Sequence, residues 1–220
     1  MKNATDARRP LKVRETGLAK LIARSLSQKN ITPNQISITS VLFAAIGAVC
    51  LLLSGHFSGN AAMVLLLLAA VAIQSRLLCN LFDGMVAVEG GKSTPSGELF
   101  NDIPDRIADP LLLVSAGYAV SASGWGVELG WCAGLLAVMT AYVRTLSSSI
   151  GAPVNFAGPM AKQHRMATLT IACILAAVEA VVSGTQWVLL LALTLIVMGS
   201  AITVANRAVA AWRYLEKKDV

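Results

Sequence analysis

Polar and apolar positions fall in long blocks rather than in short periods. From Asn30 to Ser75 there is no Asp, Glu, Lys or Arg. That stretch is longer than the ~20 residues that cross a bilayer once, and it suits two crossings. Further apolar blocks follow, separated by turn-forming residues: Ser54-Gly55, Ser58-Gly59-Asn60, Gly90-Gly91, Ser123-Gly124, the run from Gly151 to Pro159, and Ser183-Gly184. The pattern predicts six membrane-spanning helices over 36–54, 61–88, 97–122, 129–149, 164–183 and 186–207. The predicted fold class is all-α integral membrane. A segment at 1–35 precedes a membrane domain at 36–207, and a tail follows at 208–220. Within the first segment, Gly17 to Lys29 reads as an amphipathic juxtamembrane helix. Leu18, Leu21, Ile22 and Leu26 recur at helical spacing, with Lys20, Arg24 and Lys29 elsewhere on its surface. Thr32-Pro33-Asn34 turns the chain into the first span.

Composition agrees with the pattern. Hydrophobic residues make up 55% of the chain and charged residues 14%, against roughly a quarter charged in soluble domains. The first thirty residues are polar and basic, so the first span is expected to insert uncleaved. Lys2, Arg8, Arg9, Lys12, Arg14, Lys20, Arg24 and Lys29 precede it, and Lys92, Lys162, Arg165, Arg207, Arg213, Lys217 and Lys218 occupy alternate loops and the tail. The loops at 54–60, 122–128 and 184–186 hold no Lys or Arg. The positive-inside rule then places both termini in the cytoplasm. A multi-pass protein of a cell membrane, a bacterial inner membrane, is expected. No nucleic-acid partner is. Cys50, Cys79, Cys132 and Cys173 each lie in an apolar run without a close-spaced partner, which favours neither a disulfide framework nor a zinc site.

The chemistry concentrates in one stretch. Asp83, Glu89, Glu98, Asp102, Asp105 and Asp109 are six of the chain's twelve acidic residues. Ionisable groups at membrane depth are costly and mark sites. Asn80, Asp83, Gly84 and Ala87 share one face of the second span, and Gly97, Asn101, Asp105 and Asp109 recur every fourth residue on the third. A short turn predicts that these two helices are antiparallel neighbours with facing polar sides. Asp105 lies about 12 Å of helical rise into the third span, below the headgroups and above the bilayer centre. Two carboxylates and two amide oxygens meeting there suit a hard cation such as Mg²⁺, which bridges oxygen ligands to phosphate. Gly84, Ala87 and Gly97 leave room for a bulky ligand near the backbone. The alternative is an ion-pair network that only packs helices, with Arg76, Arg106 or Arg144 as partners.

These residues resemble the signature of the CDP-alcohol phosphotransferase family, D-x2-D-G-x2-A-R-x8-G-x3-D-x3-D. Aligned from Asn80 to Asp105, Asp83, Gly84, Ala87, Gly97 and Asp105 match. Ile31 to Ser37 also looks like the family's approach to its first span, and Tyr142-Val143-Arg144 and Gly158 to Arg165 are similar to segments near its acceptor side. The chain departs at three positions: Asn80 and Asn101 stand for aspartates, and Val88 for the arginine. The resemblance implies six spans, divalent metal (Mg²⁺ or Mn²⁺, one or two ions) on the first three acidic positions, and the last Asp as catalytic base. Transferred residue by residue, Asp83, Asn80, Asn101 and Asp105 are the metal ligands, with Asp109 as an additional candidate. Asp105 is the base. Gly84, Ala87 and Gly97 border the nucleotide. Asn80 and Asn101 still offer an oxygen but not a charge, so the ligand set falls from four negative charges to two. Arg144, Lys162 and Arg165 are candidates to hold phosphate of donor or acceptor, and Arg106 could stand in for the cation lost at Val88.

The implied reaction takes a phosphatidyl-type group from a CDP-linked lipid such as CDP-diacylglycerol to a small alcohol or phospho-alcohol, with release of CMP. Two rivals remain at this stage. One is a lipid-nucleotide binder or partner subunit without transfer. The other is a cation transporter using the same acids, against which the lack of an internal repeat speaks. Lateral faces rich in Ala and Gly permit a homodimer.

Overall fold

The computed structural model describes residues 16–89, 91 and 96–217. The basic residues Lys2, Arg8, Arg9, Lys12, Arg14, Lys92 and Lys218, and Gly90 of the predicted turn, lie outside them. The described residues form seven α-helices: α1 Gly17–Gln28, α2 Pro33–Ser54, α3 Gly59–Glu89, α4 Gly97–Ala119, α5 Gly126–Ser149, α6 Lys162–Val182 and α7 Trp187–Glu216. Helices α2 to α7 stand where the six spans are predicted. Five of them, α2, α3, α5, α6 and α7, are long and apolar enough to cross a membrane. Helix α4 is not, because Glu98, Asp102, Asp105, Arg106 and Asp109 fill its first half.

Local chemistry sets the ends. At α2, Thr32 Oγ1 accepts the Gln35 N–H and Gln35 Oε1 accepts the Thr32 N–H, a capping box with Pro33 at the first helical position. At α7, the Glu179 carboxylate reaches from the end of α6 and accepts the Trp187 and Val188 N–H groups at 2.9 and 3.2 Å. The same carboxylate also takes the Thr185 hydroxyl. Two otherwise orphaned helix-start donors are thereby satisfied.

The six long helices close into a ring. Helix α2 packs between α3 and α4, α3 against α6, α6 against α7, α7 against α5, and α5 against α4. The expectation that α3 and α4 are packed neighbours is therefore corrected: α2 stands between them, and they touch directly at few positions. Apolar side chains such as Leu112, Leu113, Met166, Leu169, Leu193 and Ile196 fill the middle of the ring, while Leu42, Leu68, Leu135, Leu175 and Leu195 face outward. Helices α4 and α5 approach to backbone contact, since a Cβ on Gly117 would sit 2.5 Å from the Gly126 carbonyl oxygen and 2.8 Å from Gly130 Cα.

Helix α1 lies against α3. Its small residues Ala19 and Ala23 are the buried ones, packed with Ile36, Leu81, Met85 and Val86, whereas Leu18 and Leu21 point away. The last span is expected to end at 207, and the helix that carries it runs further. Helix α7 continues without a break to Glu216, so most of the predicted tail is helix.

Candidate functional site

A cavity of about 390 Å³ opens between α3, α4, α5, α6 and α7, near the end of the ring where α3 ends and α4 begins. Asn80, Asn101, Asp102, Asp105, Arg106, Arg144, Lys162, Arg165 and Arg207 line it, with Gln74, Thr140, Phe156 and Gln163. The apolar α2 does not reach it. The charges that the sequence spreads from Asp102 to Arg207 thus converge on one chamber, whose wall also includes Leu77, Leu78, Leu81 and Phe156.

Asp105 is its centre. Only 7% of the residue is exposed. Its Oδ1 accepts from Arg76 Nη2 at 2.8 Å and from the Asn80 amide nitrogen at 2.7 Å, and its Oδ2 is ion-paired with Lys162 Nζ. These bonds, rather than helix packing, carry most of the link from α4 to α3 and to the start of α6. One turn deeper, Asp109 meets Arg76 at 2.6 Å through Oδ1 and Arg165 at 3.0 Å through Oδ2. Arg76, Asp109 and Arg165 are all within 1% of full burial. Arg165 also donates to the Met160 carbonyl at 3.2 Å. One turn nearer the loop, Asp102 Oδ1 takes both Arg106 and Arg144 at 3.0 Å, and Arg144 lies over the Phe156 ring.

Asp83 belongs to the same end but not to the cavity wall. It is buried, and its Oδ2 accepts the Ser37 hydroxyl of α2 at 2.6 Å. Its Oδ1 is buried without a hydrogen-bond partner among the described residues. Gly84, Ala87 and Gly97, expected beside a nucleotide, stand on the last turns of α3 and the first turn of α4. They too are outside the cavity lining. Val88 is half-exposed. The side chains of Glu89 and Glu98 lie outside the described residues. Asp109, expected as an additional ligand, pairs through both oxygens with buried guanidinium groups and does not line the cavity. The ion-pair network weighed from the sequence is present as well, with Arg76, Arg106 and Arg144 all in it.

Three participants escape the sequence reading. Arg207 donates to the carbonyls of Thr140, Phe156 and Ala157 at 2.6, 3.2 and 3.0 Å. It thereby fixes the loop after α5 onto α7 while lining the cavity. In sequence it looks like a charge flanking a span. Thr140 lies beside Arg165 in the cavity wall, and Ser37 holds Asp83. For Ser37 a signal existed, since it is a hydroxyl inside an uncharged apolar block.

Among the described residues, no three Asp, Glu, His or Cys side chains come together as a metal-holding group. At positions 80, 83, 101 and 105 the oxygen donors are two carboxylates, Asp83 and Asp105, and two amides, Asn80 and Asn101. The Asn80 nitrogen is turned to Asp105, which leaves its oxygen for another partner. The Asn80 oxygen and the buried Asp83 Oδ1 are each hard oxygen donors of the chemical kind a divalent ion takes.

No family model matches the chain. It is 23% identical over 203 residues to the phosphatidylinositol phosphate synthase of Streptomyces avermitilis, covering 90% of this chain and 79% of that protein. Two crystal structures of Mycobacterium tuberculosis phosphatidylinositol phosphate synthase share its fold. The one with CDP-DAG bound has a TM-score of 0.75 at 19% identity and covers 90% of this chain and 94% of that one. The one in complex with manganese and citrate has a TM-score of 0.73 at 20% identity, with 88% of each chain covered. With its apolar helices of spanning length, this is the fold of a multi-pass membrane protein.

Proposed function

We propose that the chain is a phospholipid-synthesis transferase that moves a phosphatidyl group from CDP-diacylglycerol to a phosphorylated alcohol and releases CMP. The observation that carries the reading is the cavity: a buried carboxylate, Asp105, shares one chamber with five cationic side chains, Arg106, Arg144, Lys162, Arg165 and Arg207, against two acids, Asp102 and Asp105. The fold shared with phosphatidylinositol phosphate synthases, one of them holding CDP-DAG, supports it.

The surplus of cations supports the acceptor class. A chamber with three more positive than negative side chains favours a phosphate-bearing acceptor over a neutral or zwitterionic one such as serine. Arg144 and Arg207 are oriented for this role by Phe156 and by backbone carbonyls, and Lys162 and Arg165 supply charge from the start of α6. Asp105 takes the proton from the acceptor hydroxyl. The freed oxygen attacks the phosphorus on the lipid side of the pyrophosphate. The bond to the CMP oxygen breaks and its electrons leave with CMP. Fixed positive groups stabilise the charge that develops, as in other phosphoryl transfers.

Asp83, with the amide oxygens of Asn80 and Asn101, would hold Mg²⁺ or Mn²⁺, a metal that one structural relative contains, while Asp105 is paired with Lys162. When bound, such an ion neutralises pyrophosphate charge and polarises the phosphoryl oxygens. Helix α4 is the sixth span, and the end of the ring where α3 ends and α4 begins is cytoplasmic, so the lipid tails stay in the inner leaflet.

The test is CMP release from CDP-diacylglycerol in detergent with Mn²⁺, comparing inositol phosphate, glycerol phosphate, free inositol and serine. Release with a phosphorylated acceptor, absent in Asp105→Asn, is expected. Equal release by Asp105→Asn would remove the base assignment, and release only with serine or free inositol would remove the acceptor class.

A further inference from the structure

The cation seated on Asp105 is part of the chain. Lys162 is the first residue of α6. Its ammonium pairs with Asp105 Oδ2 while its side chain, 28% exposed, still faces the cavity. The other oxygen of Asp105 is occupied by Arg76 and Asn80. Two positions that would need negative charge to attract a further divalent ion, 80 and 101, are amides on the same cavity wall. Asp102, the remaining carboxylate in the wall, is taken by Arg106 and Arg144. What is left to bind a metal amounts to the buried Asp83 with amide oxygens, enough negative charge for a single ion.

We propose that Lys162 is a tethered cation that takes the place of one divalent ion, bridging Asp105 and the donor's pyrophosphate, so that the protein binds CDP-lipid with one metal ion per chain. This deepens the reading of the chain as a CDP-lipid transferase and rests on it. The chemistry fits the side chain. A lysine is a compact point charge on a flexible stem with three donors, so it can hold a carboxylate and a phosphate oxygen together. The helix geometry fits too. As the first residue of α6, Lys162 brings its ammonium to the positive end of a helix that already favours anions. Arg76 cannot serve in this way. It is fully buried behind Asp105 and is not in the cavity wall.

The test uses the full chain in detergent micelles with CDP-diacylglycerol and Mn²⁺ as probes. Bound Mn²⁺ per chain is counted by electron paramagnetic resonance at saturating donor, and donor affinity is measured by titration. One ion per chain is expected for the native protein, and this count requires no variant to fold. Lys162→Met is expected to weaken the donor roughly ten- to hundredfold, the loss of one charge-assisted contact. Adding Asn80→Asp and Asn101→Asp to Lys162→Met is expected to raise the count to two and restore affinity. Two ions per native chain, no ion at all, or native donor affinity in Lys162→Met would overturn the proposal. A native protein that does not bind CDP-diacylglycerol at any Mn²⁺ concentration would instead overturn the transferase reading beneath it.

Discussion

Replacing Asp109 by Asn tests the electrostatic account of the chamber's floor. The substitution keeps shape and removes one charge. In the native chain the buried Arg76 and Arg165 and the partly exposed Lys162 face Asp105 and Asp109, three cations against two carboxylates. Asp109→Asn makes this three against one, and leaves Arg165, 1% exposed, without an anion in contact. Breaking a buried ion pair by removing one partner costs about 3–5 kcal/mol. Arg76 keeps Asp105 at 2.8 Å and Arg165 keeps the Met160 carbonyl at 3.2 Å, so the lower end, about 3 kcal/mol, is expected. At ~2–4 °C per kcal/mol for a chain of this size, the melting temperature should fall by roughly 6–12 °C. Arg165→Met is the informative counterpart. It removes a cation, brings the balance to two against two, and fills similar volume, so it should cost clearly less. Thermal unfolding of both variants in one detergent, followed by intrinsic tryptophan fluorescence, reads the order. An Arg165→Met protein less stable than Asp109→Asn would refute the charge count and make shape, not charge, the reason for the triad.

Two further outcomes are expected. Gly117→Ala puts a methyl 2.5 Å from the Gly126 carbonyl oxygen and 2.8 Å from Gly130 Cα; both obstacles are backbone, so α4 and α5 must separate, at about 1–3 kcal/mol of stability, visible as a lowered melting temperature. Arg144→Met should raise KM for a phosphorylated acceptor roughly tenfold or more while leaving KM for CDP-diacylglycerol within about twofold, and steady-state CMP release against each substrate separates the two.

Element positions were legible because each apolar block has spanning length and turn chemistry at its ends. The i, i+4 spacing also identified Asn101, Asp105 and Asp109 as one side of α4. What spacing could not give was the partner of each side. A short loop between α3 and α4 implied direct packing, but α2 inserts between them, and that insertion depends on shape along the whole ring rather than on any local signal. Asp109 illustrates the limit: its period matches that of Asp105, yet one turn of depth moves it from the cavity wall to a buried guanidinium clamp. Arg207 shows the reverse. Its sequence context is that of an ordinary flanking charge, and only the return of the 150–161 loop onto α7 makes it part of the chamber.

The ring order bears on how the protein is made. Helix α4 is the least apolar of the six, and its carboxylates find their counter-charges on α3, synthesised earlier, and on α5 and α6, synthesised later. At the moment α4 leaves the ribosome, Arg76 of α3 and Arg106 of α4 itself are at hand, while Arg144 on α5 and Lys162 and Arg165 on α6 do not yet exist. Stable seating of α4 in the bilayer therefore has to wait for downstream sequence, and α7, which closes the gap between α5 and α6, arrives last. A nascent chain stalled before α6 would present Asp105 and Asp109 without the cations Lys162 and Arg165, a state suited to recognition by membrane chaperones or proteases. The charges that serve the chamber would in this way also act as a checkpoint on completion of the chain.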